Sequence, residues 1–127
     1  MGFGTFDGLH PGHLFFLRQL SSLGDETLVT IARDRNVKRI KGKAPHFNEK
    51  ERFSAVEKTG LVSKVLMGHP TDFYHLINTF QPDIIGLGYD QRADIEKLKE
   101  KFPQIQVIRL KALEPDKYKS SLIKKTK

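Results

Sequence analysis

A chain of 127 residues with 38% hydrophobic and 29% charged residues is sized for one globular domain with its own core, spanning residues 1–127. No apolar run approaches the roughly 20 residues of a membrane helix and nothing reads as a signal peptide, so a cytoplasmic location without membrane contact is the expectation. Cysteine is absent, which excludes a disulfide framework, a thiolate nucleophile and a cysteine zinc site, and the net charge of +7 points to anionic partners.

In chain order, residues 3–6 read as the end of a buried strand. Residues 11–23 carry a helical leucine stripe (Leu14, Leu17, Leu20, Leu23), with Pro11 suited to the first helical position and Gly24 to the stop. The run TLVTIA at 27–32 is β-branched and apolar, hence a second strand. The basic stretch 33–45 reads as a loop. Asn48 followed by Glu49 and Glu51 predicts a capped helix over 49–58. Strands are expected at 62–67, 84–87 and 105–110, helices at 71–80 and 93–102, and a last short helix near Ser120.

Strands alternating with helices of this length imply an α/β fold: a three-layer, Rossmann-like open sheet of about five parallel strands with helices on both faces. In such a sheet ligands bind beyond the carboxyl ends of the strands at the topological switch point. The loops following the first strand (5–13), the second (33–45) and the fourth (88–92) fall there, all rich in Gly, His, Lys, Arg or Asp.

The first of these loops carries the most chemistry. His10 and His13 stand three residues apart where a helix begins, and a helix N-terminus already favours anions through its donors and dipole. Two imidazoles at that point can hold a polyphosphate and stabilise charge building on phosphorus. They lack the third ligand and the HExxH spacing of a zinc site, and neither a Walker loop nor GxGxxG is present. Read alone, both histidines could instead cap the helix. Lys41 and Lys43 could be plain surface lysines, Tyr89 and Asp90 a turn, and Ser120 and Ser121 a helix cap. Arg52, after Glu49 and Glu51, reads as a surface ion pair. Phe47, Phe73 and Tyr74 could line an aromatic acceptor pocket, with core packing the preferred reading, and His46, His69 and His75 read as structural or exposed.

The run Gly4-Thr5-Phe6-Asp7 followed by His10-Pro11-Gly12-His13 resembles the HxGH signature of the nucleotidyltransferase superfamily that includes the cytidylyltransferases. Leu23-Gly24-Asp25-Glu26, Ala32-Arg33-Asp34, Val37 with Lys41-Gly42, and Leu87-Gly88-Tyr89-Asp90-Gln91 extend the resemblance over essentially the whole chain. These segments look closest to the archaeal-type FAD synthase branch, the FMN adenylyltransferases. The resemblance implies the strand order 3-2-1-4-5 for the sheet, and that His10 and His13 act at the α-phosphate of a nucleoside triphosphate. It places Gly4, Thr5, Phe6 and Gly12 around the same pocket and gives Asp7 the task of shaping the loop. Lys41, helped by Lys43, would reach over the phosphates from a mobile loop. Asp90, within Gly88, Tyr89 and Gln91, would meet the ribose. Ser120 and Ser121 would bind the outgoing phosphates.

Mg²⁺ is then expected on the substrate phosphates rather than on protein ligands, and a homodimer is expected from the family. ATP with FMN is the favoured pair. CTP with glycerol 3-phosphate or a related alcohol phosphate is the alternative, and a non-catalytic nucleotide- or nucleic-acid-binding domain is the alternative of another class. Thin aromatic content near the basic runs argues against single-stranded nucleic acid. Two departures favour the flavin branch. Thr59-Gly60-Leu61-Val62-Ser63 stands where many cytidylyltransferases have Arg-Tyr-Val-Asp, and Lys117-Tyr118-Lys119-Ser120-Ser121 replaces a fuller arginine-containing segment. Only three residues precede Gly4, so a short central strand is expected.

Overall fold

Five short strands align in one parallel sheet in the order β3-β2-β1-β4-β5. The computed structural model describes residues 1–89, 91 and 94–113. Its elements are β1 (Gly2–Gly4), α1 (Pro11–Ser21), β2 (Leu28–Ile31), α2 (Asp34–Lys41), α3 (Glu49–Lys58), β3 (Lys64–Met67), α4 (His75–Phe80), β4 (Ile84–Leu87), α5 (Ile95–Lys101) and β5 (Gln106–Arg109). The expected strand order is the observed one. The helix expected near Ser120 lies outside the described residues, as do Asp90, Ser120 and Ser121.

The central strand is three residues long, yet it pairs on both sides: Gly2 with Val29 and Gly86, Phe3 with Thr30, Gly4 with Ile31. Successive strand residues point to opposite faces. On one face Val29, Ile31 and Val65 pack with Leu17 and Leu20 of α1 and Val56 of α3. On the other, Leu66, Ile85 and Leu87 pack with Ile77 of α4 and Leu98 of α5. α1 approaches the sheet closely because β1 and β4 offer glycine beneath it. A Cβ on Gly2 or Gly86 would lie 2.6 or 2.7 Å from a Leu20 methyl.

Four helices differ from the sequence expectation, α5 only by running from Ile95 to Lys101 within the expected 93–102. α1 ends at Ser21 rather than Leu23, because the Ser22 N–H and hydroxyl both turn back onto the carbonyls of the last turn. α4 begins only at His75, because the imidazole of His69 accepts from the N–H groups of Thr71 and Asp72 and fixes residues 69–72 as a turn. The largest correction concerns 33–45, read as a loop: residues 34–41 are helix α2. Asp34 lies in its first turn, Lys38, Arg39 and Lys41 in its last, and Gly42 at φ +81° closes it. That charge order suits the helix dipole. A carboxylate oxygen of Glu49, on α3, accepts the Asp34 N–H at 2.9 Å and completes the N-terminus.

α3 starts where Asn48 predicts, with a full capping box between Asn48 and Glu51. It also corrects the reading of Arg52, which is not a surface residue but 1% exposed. Its guanidinium donates to the Thr5 carbonyl (2.9 Å), the Phe47 carbonyl (2.9 Å) and Asp34 Oδ1 (2.7 Å). Removing this buried side chain leaves the Thr5 and Phe47 carbonyls without their donor and Asp34, whose side chain is 38% exposed, without its partner. Arg52→Ala is therefore expected to lower unfolding free energy in urea by about 2–4 kcal/mol, and Arg52→Lys by much of that, since an ammonium cannot reproduce the planar fork.

Candidate active site at the β1–α1 loop

β1 and β4 are adjacent while their following connections run to opposite sides, which makes their carboxyl ends the switch point of the sheet. The loop after β1 is held in an unusual shape. Phe6 has φ +53° and is 3% exposed. A bulky residue in the left-handed region is strained by about 1–2 kcal/mol. The strain is offset by burial of its ring and by Arg52, which grips the preceding Thr5 carbonyl. Gly4 is required beneath it, since a Cβ there would stand 2.5 Å from the Phe6 ring.

Asp7 follows, and its two carboxylate oxygens accept the N–H groups of His46 (2.8 Å) and Phe47 (2.9 Å). Partial burial pushes this carboxyl up. The hydrogen bonds from Phe47 and His46 and the nearby charges of His46 and Arg52 outweigh it, so its pKa lies below the ordinary carboxylate value. A depressed carboxyl contributes stability above its unfolded pKa and loses that contribution as pH falls through the folded one.

α1 then opens with His10 as its N-cap. The His10 Nδ1 accepts the Gly12 N–H at 3.1 Å, and Pro11 fills the first helical position without an N–H to satisfy. An imidazole accepting at Nδ1 carries its proton on Nε2, which is then the donor available to a ligand. Gly12 leaves room for this ring, as a Cβ would sit 2.9 Å from His10 Cε1. His13, one turn on, stacks against His10 with ring centroids 3.7 Å apart and planes at 25°. Phe6 meets the other side of His13 edge-on at 5.4 Å. The capping reading and the paired-imidazole reading of His10 thus hold together: the ring caps through Nδ1 and keeps Nε2.

On the other side of the switch point, Gly88 and Gln91 are stitched to the sheet. Gln91 accepts the Gly88 N–H through Oε1 (2.8 Å) and donates through Nε2 to the Phe3 carbonyl of β1. Arg109, on β5, donates to the carbonyls of Gly88 (2.7 Å) and Gln91 (2.6 Å). Tyr89 is left 63% exposed. The structure therefore brings together Gly4, Thr5, Phe6, Asp7, His10, Gly12 and His13 with Gly88 and Gln91.

Lys41 and Lys43 stand apart from this group in character. Lys41 ends helix α2 instead of riding a loop, Lys43 follows the Gly42 cap, and both are exposed. Neither makes a hydrogen bond or ion pair among the described residues. Phe47 and Phe73, read as core, are 45% and 47% exposed. A groove of about 580 Å³ runs beside the loop, lined by Phe6, Gly8, Leu9, Phe47, Lys50 and Lys58 among others. Among the described residues no group of three or more His, Asp or Glu side chains is placed to hold a metal ion, and no helix is long and apolar enough to cross a membrane.

Sequence reasoning missed Arg33, Glu49, Arg52 and Arg109. For Arg52 a signal existed: it precedes Val56 by four residues, on the face of α3 that packs against the sheet. Asp7→Ala is expected to speed amide exchange of His46 and Phe47 by at least about tenfold while α3 stays protected. The unmutated protein should show the same selective loss as pH falls below the ordinary carboxylate range of about 4.

Comparison with known proteins agrees with this geometry. The chain is 44% identical over 115 residues to a FAD synthase from Aciduliprofundum boonei, covering 87% of this chain and 76% of that protein. It is 37% identical over 129 residues to a FAD synthase from Thermoplasma acidophilum, covering 98% and 90%. The crystal structure of a lipopolysaccharide core biosynthesis protein from Thermoplasma volcanium superposes with a TM-score of 0.83 at 35% identity, covering 90% of this chain and 96% of that one. The cytidylyltransferase-like family profile matches residues 1–126. With the HxGH loop at the switch point of a 3-2-1-4-5 sheet, the chain belongs to the cytidylyltransferase-like family of nucleotidyltransferases.

Proposed function

We propose that this protein is a cytoplasmic FMN adenylyltransferase, joining ATP and FMN to give FAD and pyrophosphate. The observation that carries the reading is the stacked His10–His13 pair at the mouth of α1, held over the carboxyl end of the central strand. The similarity to archaeal FAD synthases selects the flavin acceptor.

An oxygen of the FMN phosphate attacks the α-phosphorus of ATP in line. A new P–O–P bridge forms as the bond from the α-phosphorus to the bridging oxygen of the β-phosphate breaks, and that electron pair leaves with pyrophosphate. No covalent enzyme intermediate is required, so catalysis consists of positioning and charge stabilisation. The Nε2–H of His10, with His13 stacked beside it, donates to the oxygens of the α-phosphate, and the positive end of α1 adds to the same field. Lys41, aided by Lys43, comes over the phosphates from the end of α2. Asp90 meets the ribose, and Ser120 and Ser121 take the outgoing phosphates.

The donors gathered at the loop are imidazoles and backbone N–H groups, which suit phosphate oxygens rather than a hard cation. Mg²⁺ would accordingly be held by the phosphates of ATP rather than by these residues, and would supply neutralisation of phosphate charge.

The reading is tested by offering ATP or CTP with FMN or glycerol 3-phosphate and following pyrophosphate release. FAD formation from ATP and FMN is expected, and His10→Ala and His13→Ala should each lower kcat by at least ~10²-fold. Turnover only with CTP and a non-flavin phosphate would overturn the acceptor assignment, and near-normal kcat in both variants would overturn the mechanism.

A further inference from the structure

Phe47 exposes 45% of its surface although its backbone is fixed on both sides. Its N–H is held by the Asp7 carboxylate at 2.9 Å, and its carbonyl by the buried Arg52 guanidinium at 2.9 Å. The other Asp7 oxygen holds the preceding N–H, that of His46. Charge-assisted hydrogen bonds are the stronger kind. Three of them converge here on a two-residue segment whose apolar ring stays half in water. Full burial of such a ring stabilises a fold by about 1.5–3 kcal/mol, and this position forgoes much of that. Phe73 is equally exposed, but its place is explained by packing on Phe3 and Tyr74. Phe47 has no comparable aromatic neighbour among the described residues.

The ring borders the groove of about 580 Å³, a volume within the range of about 300–1,000 Å³ usual for small-molecule sites. Phe6, Leu9 and Ala55 give the groove an apolar wall, and Lys50 and Lys58 bring positive charge to it. Gly8, at φ +81°, keeps the wall opposite Phe47 low, since a Cβ there would reach to 3.5 Å from the Phe47 ring. Gly8 lies two residues before His10, a span of at most about 7 Å. A molecule seated on Phe47 thus has its other end a short arm away from the imidazole pair.

We propose that Phe47 is the stacking platform for the flat ring system of the phosphorylated acceptor, and so sets specificity for it. This rests on the FMN adenylyltransferase reading. The isoalloxazine of FMN is flat, with an apolar dimethylbenzene end, and its polyol arm carries the phosphate from the groove toward His10. Lys50 and Lys58 complement the anionic end. An acceptor such as glycerol 3-phosphate has no ring and gains nothing from Phe47.

The test combines FMN binding, followed by flavin fluorescence without ATP, with steady-state FAD formation by Phe47→Ala, Phe47→Leu and Phe47→Trp. Loss of an aromatic stacking partner weakens binding of a flat ring at least about fivefold. The alanine and leucine variants are therefore expected to raise both the Kd and the KM for FMN by that factor or more. The KM for ATP should stay within about twofold, and tryptophan should restore FMN binding. Thermal unfolding identifies any variant that has lost its fold, and the tryptophan variant, which keeps an aromatic ring, still reports if alanine does not fold. An unchanged FMN Kd in folded Phe47→Ala or Phe47→Leu overturns the proposal while leaving FAD synthesis intact. A wild-type protein that neither binds nor converts FMN overturns the underlying reading, and the platform with it.

Discussion

The buried guanidinium of Arg52 is the constraint on which the rest of this structure depends. A cation taken out of water is tolerated only when its donors are matched, and here all three nitrogens find oxygen. The acceptors belong to segments far apart in sequence: Thr5 after the first strand, Asp34 at the start of α2, and Phe47 before α3. One side chain thus fixes the relative positions of the β1–α1 loop, the basic helix and the turn into α3. Asp7 closes the same circuit from the opposite direction by holding the N–H groups of His46 and Phe47.

The same device recurs along the carboxyl edge of the sheet. Arg33 donates to the Gly68 carbonyl just past β3, Arg52 to Thr5 just past β1, and Arg109 to Gly88 just past β4. At three strand ends, those of β1, β3 and β4, the carbonyl just past the strand is thus held by a planar, permanently charged donor. Three of the 22 basic side chains are thereby engaged with backbone carbonyls of the fold, and Arg52 is buried outright. The strained Phe6, the Nδ1 cap of His10 and the stacked His13 are local consequences of a loop fixed at both ends.

Much of this was legible in the sequence. Alternation of apolar runs with helical stripes gives the strands, the family resemblance gives their order, and Asn48 with the acids after it gives the start of α3. Helix α2 was not legible because its apolar face is almost empty: Val37 is its buried residue, while Ile40 is 73% exposed. Its stability comes from caps supplied by Glu49 and Gly42, and only Gly42 is visible locally. Arg52 was misread because charge outweighed its helical phase in the reading. For Phe47 the core reading was preferred to an acceptor pocket because aromatic content suggests core, and only the backbone bonds to Asp7 and Arg52 show that its ring is held outside it. Gly4, Gly12 and the two histidines were legible as a group, whereas Asp90, Ser120 and Ser121 fall outside the described residues.

The central claim is that Arg52 and Asp7 act as one clamp on the loop that presents His10 and His13. A double-mutant cycle on kcat/KM for FAD formation, with Asp7→Ala and Arg52→Lys measured below the unfolding transition of the double variant, tests it most directly. Residues that serve one network show non-additive losses, whereas independent sites add in free energy. The account predicts a double variant little worse than the poorer single one. Losses that multiply would mean that the two residues act separately, and would contradict it.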